Sequence, residues 1–307
     1  MPKISVIMPI YNAQKYITKT VESILGQDYS DFELIMVDDN PTDDTMDVLS
    51  TINDERIRLI HNEHNMGIAQ SRNNGLAVAN GEYIALMDDD DLCPNDRFSF
   101  ENTYLDEHPE IDVIGGGYRV IDKDSVFVTE TTPMIIDPDE IRVQFMFYCP
   151  MYNGSTMYRR RIIEDYGLRY LDGFLGMEDY RFWVEASLHS RMTNTERALL
   201  YWRQVATTET MRVLEHKLDA RERKFAEIQK FYILSSGFDL SEEELDLFTG
   251  AFREAGPFDI PQENLDDVLC LLDKMSEQAV ELPLYNSEVV KRVFGQRFSG
   301  LMAKVNK

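Results

Sequence analysis

The chain has 307 residues, 43% of them hydrophobic and 28% charged, enough for one large core or a main domain with an extension. Its formal net charge of -24 argues against nucleic acid as a partner, because backbone binding needs a positive surface. No apolar run is long enough to span a bilayer, and no leader pattern precedes the first strand pattern, so cytoplasmic residence is expected.

In chain order, Ile4 to Ile10 reads as an apolar strand. Gln14 to Gln27 has helical spacing, with Ile17, Val21, Ile24 and Leu25 on one side. Phe32 to Val37 is a second strand, ending at Asp38-Asp39-Asn40. Pro41 to Asp44 reads as a helix start with Thr42 as cap. Ile57 to His61 is a third strand, Ile68 to Ala79 a helix, and Tyr83 to Met87 a fourth strand. Such alternation implies a mostly parallel sheet covered by helices, with ligands beyond the carboxyl ends of the strands.

The pattern then loosens. Pro94 to Leu105 reads as a helix, and Ile111 to Ile121 as a strand broken by Gly115-Gly116-Gly117. Val126 to Thr131 can pair with that strand. Pro138 to Phe147 is helical, Met157-Tyr158 ends a strand, Asp179 to Leu188 is a helix and Ala198 to Trp202 a short strand. Met211 to Leu234 opens a helical tail in which Ser241-Glu242-Glu243-Glu244 resembles a capped start. The expected organisation is residues 1–210 as a main α/β domain, with the regular strand–helix alternation to 110 and the looser part from 111. Residues 211–307 form the helical extension. Cys93, Cys149 and Cys270 have neither disulfide nor zinc spacing and read as buried free thiols.

Asp88 to Asp91 follow an apolar strand directly. Four adjacent carboxylates exceed what helix capping needs, and they call for a positive counterpart such as a divalent cation on a phosphorylated ligand. Asp88 and Asp90 are the natural pair. Asp39 ends another strand, where a carboxylate can accept a ring N–H or simply close a turn with Asn40 and Pro41. Asn65-Met66-Gly67 precedes a helix whose free N–H groups suit an anion. From spacing alone, Arg72 reads equally as a phosphate or base contact and as a surface ion pair. Glu178 or Asp179 can serve as general base or as ordinary first-turn acids. Trp183 reads first as core.

These blocks, in this order, resemble the inverting family 2 glycosyltransferases with the GT-A fold. The resemblance is carried by Ile4 to Asn12, Ser23 to Gln27, Phe32 to Asp39, Asn65 to Gly67, Arg72 to Gly75 and Gly81 to Ala85. The family's Asp-x-Asp block falls on Asp88, Asp89 and Asp90, and its Glu-Asp pair on Glu178 and Asp179. It covers roughly the first two thirds of the chain and leaves the helical tail unexplained. It implies a Rossmann-like, mostly parallel sheet and a nucleotide-sugar donor, in the first instance a UDP-sugar. Pro9 and Tyr11 would line the nucleoside site, with Asp39 reading the base and Arg72 beside the nucleotide. Asp88 and Asp89 would lie at the donor, and Asp90 would hold Mn2+ or Mg2+. Asp179 would be the base and Glu178 its orienter.

Processive members carry Gln-x-x-Arg-Trp after the Glu-Asp pair, where this chain has Leu200-Tyr201-Trp202-Arg203-Gln204. Transfer of a single sugar to a glycan or lipid-linked acceptor is therefore expected, in bacterial surface polysaccharide assembly. Two other readings stand beside it, a non-catalytic nucleotide-sugar-binding scaffold and a metal-dependent nucleotidyltransferase. Pro9 to Ala13 lacks the Gly-rich phosphate loop of the latter. Val289 to Lys304 mixes basic and apolar positions, which fits either a peripheral foot on anionic membrane or a packed amphipathic helix.

Overall fold

The computed structural model describes residues 1–130, 135–204, 218–253 and 264–305. The chain divides into two compact units: Met1–Ile136, Met151–Gly173 and His189–Thr208 form the first; Asp137–Pro150, Phe174–Leu188 and Glu209–Lys307 form the second.

The first unit is built on one eight-stranded sheet. Its strands are β1 (Ile4–Ile10), β2 (Phe32–Asp38), β3 (Ile57–His61), β4 (Tyr83–Leu86), β5 (Val113–Ile121), β6 (Phe127–Glu130), β7 (Met157–Arg159) and β8 (Met192–Arg203). The order is β3-β2-β1-β4-β7-β5-β6, with β8 on β5. Strands β1 to β4 are parallel, and β7 is antiparallel to both β4 and β5. Strand β5 therefore runs in the direction of β4, as does β8, which pairs parallel with β5. Strands β1 to β4, β5 and β8 therefore end at one edge of the sheet, and β6 and β7 at the other. Every residue of β1 is buried, as expected of a strand covered on both faces. Helices α1 (Ile17–Leu25), α2 (Thr45–Leu49), α3 (Ile68–Val78) and α4 (Arg97–Glu107), a 3-10 turn at Asn153–Ser155 and a short helix at Arg161–Tyr166 complete the described unit. Ile17, Val21 and Ile24 of α1 join Val6, Met8, Leu34 and Phe98 in its core.

Several expectations are corrected. The glycines do not break β5. The strand runs through them, with register shifts against β8 at Gly116/Gly117 and Gly117/Tyr118. Side chains there would collide, since a Cβ on Gly115 would lie 2.5 Å from Asn194 Oδ1 and one on Gly116 would lie 2.6 Å from Leu199 Cγ. Strand β8 has 12 residues, not a short stretch. Thr42 caps no helix. Its N–H donates to Asn12 Oδ1 at 2.7 Å, and α2 begins at Thr45, whose N–H is accepted by Asp43 Oδ1 at 3.1 Å. Of the thiols, Cys93 is buried, Cys149 is half-buried and Cys270 is exposed. The start of the expected helix Met211 to Leu234 lies partly outside the described residues.

The second unit is helical as described: α5 (Pro138–Gln144), α6 (Glu178–Ser187), α7 (Leu218–Ser235), α8 (Glu242–Ala251), α9 (Leu265–Gln278) and α10 (Ser287–Val305). The expected capping box is present at α8. Ser241 Oγ accepts the Glu244 N–H, and Glu244 returns the contact to the Ser241 N–H at 2.8 Å, an arrangement worth about 1 kcal/mol. Phe147 packs edge-on against Phe252 and Phe294. Trp183 is fully buried against Phe182. The basic helix α10 buries Val290, Val293, Phe294 and Leu301. Its Arg292 pairs with Glu140 at 2.9 Å, and Arg297 Nε donates to Gln144 Oε1 at 3.1 Å. The apolar side of this helix and two of its cations are thus engaged within their own unit. No described helix is long and apolar enough to cross a membrane.

Candidate functional site

The acidic end of β2 is fully organised by its neighbours. Asp38 Oδ1 accepts the Asn40 N–H at 2.9 Å, and Asp38 Oδ2 lies 2.7 Å from His61 Nδ1. The turn thus belongs to Asp38, with Asn40 left-handed at φ 63°. Asp39, buried one residue on, accepts from Asn62 Nδ2 at 2.8 Å and from the N–H groups of Met66 at 2.7 Å and Gly67 at 2.9 Å. The amides of Met66 and Gly67, just before α3, are thus taken by a carboxylate of the protein itself. Gly67 at φ 84° permits the turn that aims them. Three donors leave the carboxylate about one further acceptor position.

The ends of β1 and β4 meet beside it. Pro9 is buried within β1 opposite Val37, while Tyr11 is 45% exposed in the following loop. The Tyr11 N–H donates to Asp89 Oδ2 at 2.8 Å, and Thr20 Oγ1 donates to the Asp89 carbonyl at 3.2 Å. Asp88 Oδ1 accepts from Arg72 Nη2 at 2.9 Å. Arg72 is only 5% exposed and lies 5.3 Å over the Tyr170 ring. It is therefore no loose surface pair, but a buried cation delivered by α3 to the edge of the acidic block. Pro9, Tyr11, Asp39, Arg72, Asp88, Asp89 and Asp90 all sit at or beside the carboxyl ends of β1, β2 and β4.

Carboxylates this close resist full ionisation. Burial, then Asp90 and Asp88, push Asp89 well above its usual range. Burial and Asp88 raise Asp90 to about 6 against the pull of Arg203. Asp91 is raised well above its usual value by burial and by Asp90 and Asp88. Among the described residues, no other residue donates a hydrogen bond to the Asp90 carboxylate; Arg203 reaches its carbonyl instead. An added cation would relieve this crowding. No group of three or more His, Cys, Asp or Glu is arranged to hold a metal ion among the described residues. A closed protein cage therefore does not fit. An ion held by one or two carboxylates and completed by phosphate oxygens does.

Two buried arginines that sequence reasoning passed over hold this block in place. Fully buried Arg97 spreads its guanidinium over Glu101 at 3.0 Å and the carbonyls of Gly154, Leu86 and Thr156 at 2.8, 3.2 and 3.2 Å. It thereby fixes the last turn of backbone before Asp88. Burial raises Glu101 to about 7 despite Arg97. Fully buried Arg203 donates from Nε to the Asp90 carbonyl at 2.6 Å, and its N–H donates to Asp91 Oδ1 at 2.7 Å. The available signals were a basic residue in the apolar stripe Arg97-Phe98 with Glu101 four residues on, and an arginine ending an apolar strand.

Glu178 and Asp179 lie in the second unit, in the first turn of α6. Glu178 Oε1 accepts the Gly176 N–H at 3.3 Å, and Asp179 Oδ1 accepts the Tyr180 N–H at 2.8 Å. The preceding turn holds Leu175 at φ 55° and Gly176 at φ 77°. A left-handed leucine is strained, and Arg221 Nη1 secures its carbonyl at 2.6 Å.

The profile of the family described as Glycosyl transferase family 2 matches residues 5–167. An uncharacterized glycosyltransferase of Haemophilus influenzae is 30% identical over 249 residues, 78% of this chain and 77% of that protein. The WfaP protein of Escherichia coli, a UDP-Glc:alpha-D-GlcNAc-diphosphoundecaprenol beta-1,3-glucosyltransferase, is 32% identical over 198 residues, 63% of this chain and 75% of that one. Among solved structures, residues 1–349 of S. aureus TarS in complex with UDP-GlcNAc superimpose with a TM-score of 0.66 at 21% identity, covering 97% of this chain and 89% of that one.

Proposed function

The chain belongs to glycosyl transferase family 2, with a GT-A fold, and moves a sugar from a nucleotide-sugar donor to an acceptor; we propose that the donor is a UDP-sugar, that the anomeric centre inverts, and that one sugar is transferred per encounter. The observation that carries this reading is the crowded, under-neutralised block Asp88 to Asp91 at the same sheet edge as Asp39. That edge is where open α/β sheets bind nucleotides. The TarS complexes with UDP-GlcNAc and UDP support uridine as the base, and the glucosyltransferases of Escherichia coli support a lipid-linked saccharide or other glycan as acceptor.

In this reading the remaining acceptor position of Asp39 takes the ring N–H of the base. Pro9 and Tyr11 line the nucleoside. Asp89 acts through the Tyr11 loop that it holds. Arg72 and Asp88 lie against ribose or donor sugar, with Arg72 setting the Asp88 carboxylate. Asp90 would hold Mn2+ or Mg2+, which would offset charge on the departing diphosphate. Asp179 removes the proton of the acceptor hydroxyl as its oxygen attacks the anomeric carbon opposite the diphosphate, and Glu178 orients it. No covalent glycosyl-enzyme is needed.

The test is a panel of UDP-, GDP- and dTDP-sugars with manganese, read as released nucleoside diphosphate. Release from one UDP-sugar, abolished by EDTA, is expected. Release confined to GDP- or dTDP-sugars overturns the uridine assignment, and pyrophosphate release would place the chemistry with nucleotidyl transfer.

A further inference from the structure

We propose that an open groove on the first unit, beside the carboxylate block, binds the sugar chain that carries the acceptor. This rests on the reading of the acceptor as a glycan. Two cavities of about 440 and 390 Å³ share Asp96 and Arg197 as a common wall. Each falls within the roughly 300–1,000 Å³ of small-ligand sites, and together they make an elongated trough.

The position is set by the chain. Leu92, next to Asp91, exchanges backbone hydrogen bonds of 2.7 and 3.1 Å with Tyr201 of β8. Tyr201 lines the first cavity with Tyr118 and Arg119 of β5. These residues lie towards the C-terminal ends of two strands that run in the direction of β4. The first cavity thus lies towards the sheet edge where Asp88 to Asp91 emerge, and the second runs from it along α4 towards the starts of β1 and β4, where Asp106 meets Lys3 and Tyr83.

Its chemistry suits a saccharide. A pyranose presents apolar C–H faces to flat rings, and its hydroxyl pairs suit planar carboxylate and guanidinium groups. The Tyr118 ring is held by edge contacts with Tyr152 at 4.4 Å and Trp202 at 5.7 Å, so it is a preset platform. Arg197 pairs with Asp96 at 2.5 Å and lies 4.4 Å over the Phe100 ring. Phe100 continues into the second cavity with Tyr104. In the first cavity Asp96 and Glu196 are matched by Arg119 and Arg197. The second cavity adds Asp28 and Glu107, so the trough as a whole is acidic, repels anions and suits a neutral polyol. A phosphate would meet two carboxylates, and a lipid would find polar walls.

The experiment uses full-length protein on an array of immobilised oligosaccharides three to six sugars long, with Tyr201→Ala and Glu196→Gln variants alongside. Glu196 is exposed and its replacement isosteric, which guards against a folding artefact. The expected result is retention of the wild type on at least one oligosaccharide, and about a tenfold loss in both variants. Failure of the wild type to bind any of them, or undiminished binding by both variants, overturns the groove. Calorimetry of the wild type with UDP and manganese separates the two readings. Oligosaccharide binding without UDP binding would remove the donor assignment and leave the groove, while the reverse would remove the groove alone.

Discussion

Two strand ends in the first unit carry aspartates, and the protein treats them oppositely. At the end of β2, each oxygen of Asp38 and Asp39 has a partner: a backbone amide, an asparagine or a histidine ring. At the end of β4, no other described residue donates to the Asp90 carboxylate, and Asp89, Asp90 and Asp91 all hold protons more tightly than ordinary carboxylates. Among the described residues, Arg72 and Arg203 are the cations bonded to the block, and two cations do not neutralise four acids. The first end is finished as folded, so its remaining capacity is for reading. The second stays crowded, and on the proposed reading it takes positive charge from outside.

If that contrast is right, Asp90→Ala should give the largest loss, at least about a thousandfold in transfer, consistent with several kcal/mol of charge stabilisation. Manganese should then no longer strengthen UDP binding by calorimetry, and the melting temperature should not fall. An undiminished manganese effect would move the cation site elsewhere. Asp179→Asn, in the second unit, should cost roughly 10²- to 10⁴-fold in kcat while UDP binding persists. A comparable loss in UDP affinity would make Asp179 a donor residue instead. Asp39→Ala should behave unlike either. Stability should drop by about 1–3 kcal/mol as its donors lose their acceptor, with about a tenfold weaker grip on UDP. Denaturant unfolding beside calorimetry checks both, and unchanged stability would refute the finished-loop description.

The smallest effect lies beneath the block. Glu101 has its pKa raised from 4.5 to about 7 by burial, against the opposing charge of Arg97. Between those values the folded state keeps a proton that the unfolded chain has released. Its contribution to stability therefore falls as pH rises through that window and levels off above it. The melting temperature of the wild type relative to Glu101→Gln should be lower at pH 7.5 than at pH 5. An equal difference at both would show that Glu101 does not titrate there.

Much of the donor side was legible because parallel strands announce themselves as apolar runs and their ends as acid. Ile4–Ile10, Phe32–Asp38 and Tyr83–Leu86 appear where periodicity placed them. What escaped was long-range. Gly115 to Gly117 look like a break in one dimension, and only the approach of Asn194 and Leu199 shows why a strand needs them. Arg97 looks like a surface residue until its partners arrive from β4 and from the turn around Gly154. Spacing could not decide whether Arg72 was a surface pair. Tyr170, almost a hundred residues away, supplies the ring that buries it.

The Asp39 contacts carry a consequence for anyone redesigning donor choice. On the proposed reading, the carboxylate that selects the base also holds Asn62, Met66 and Gly67 in place. Specificity and scaffold are written in the same letter. Swapping it to admit another nucleotide would erase the loop along with the preference. Altered selectivity must instead be engineered from the rim, with Asp39 left untouched.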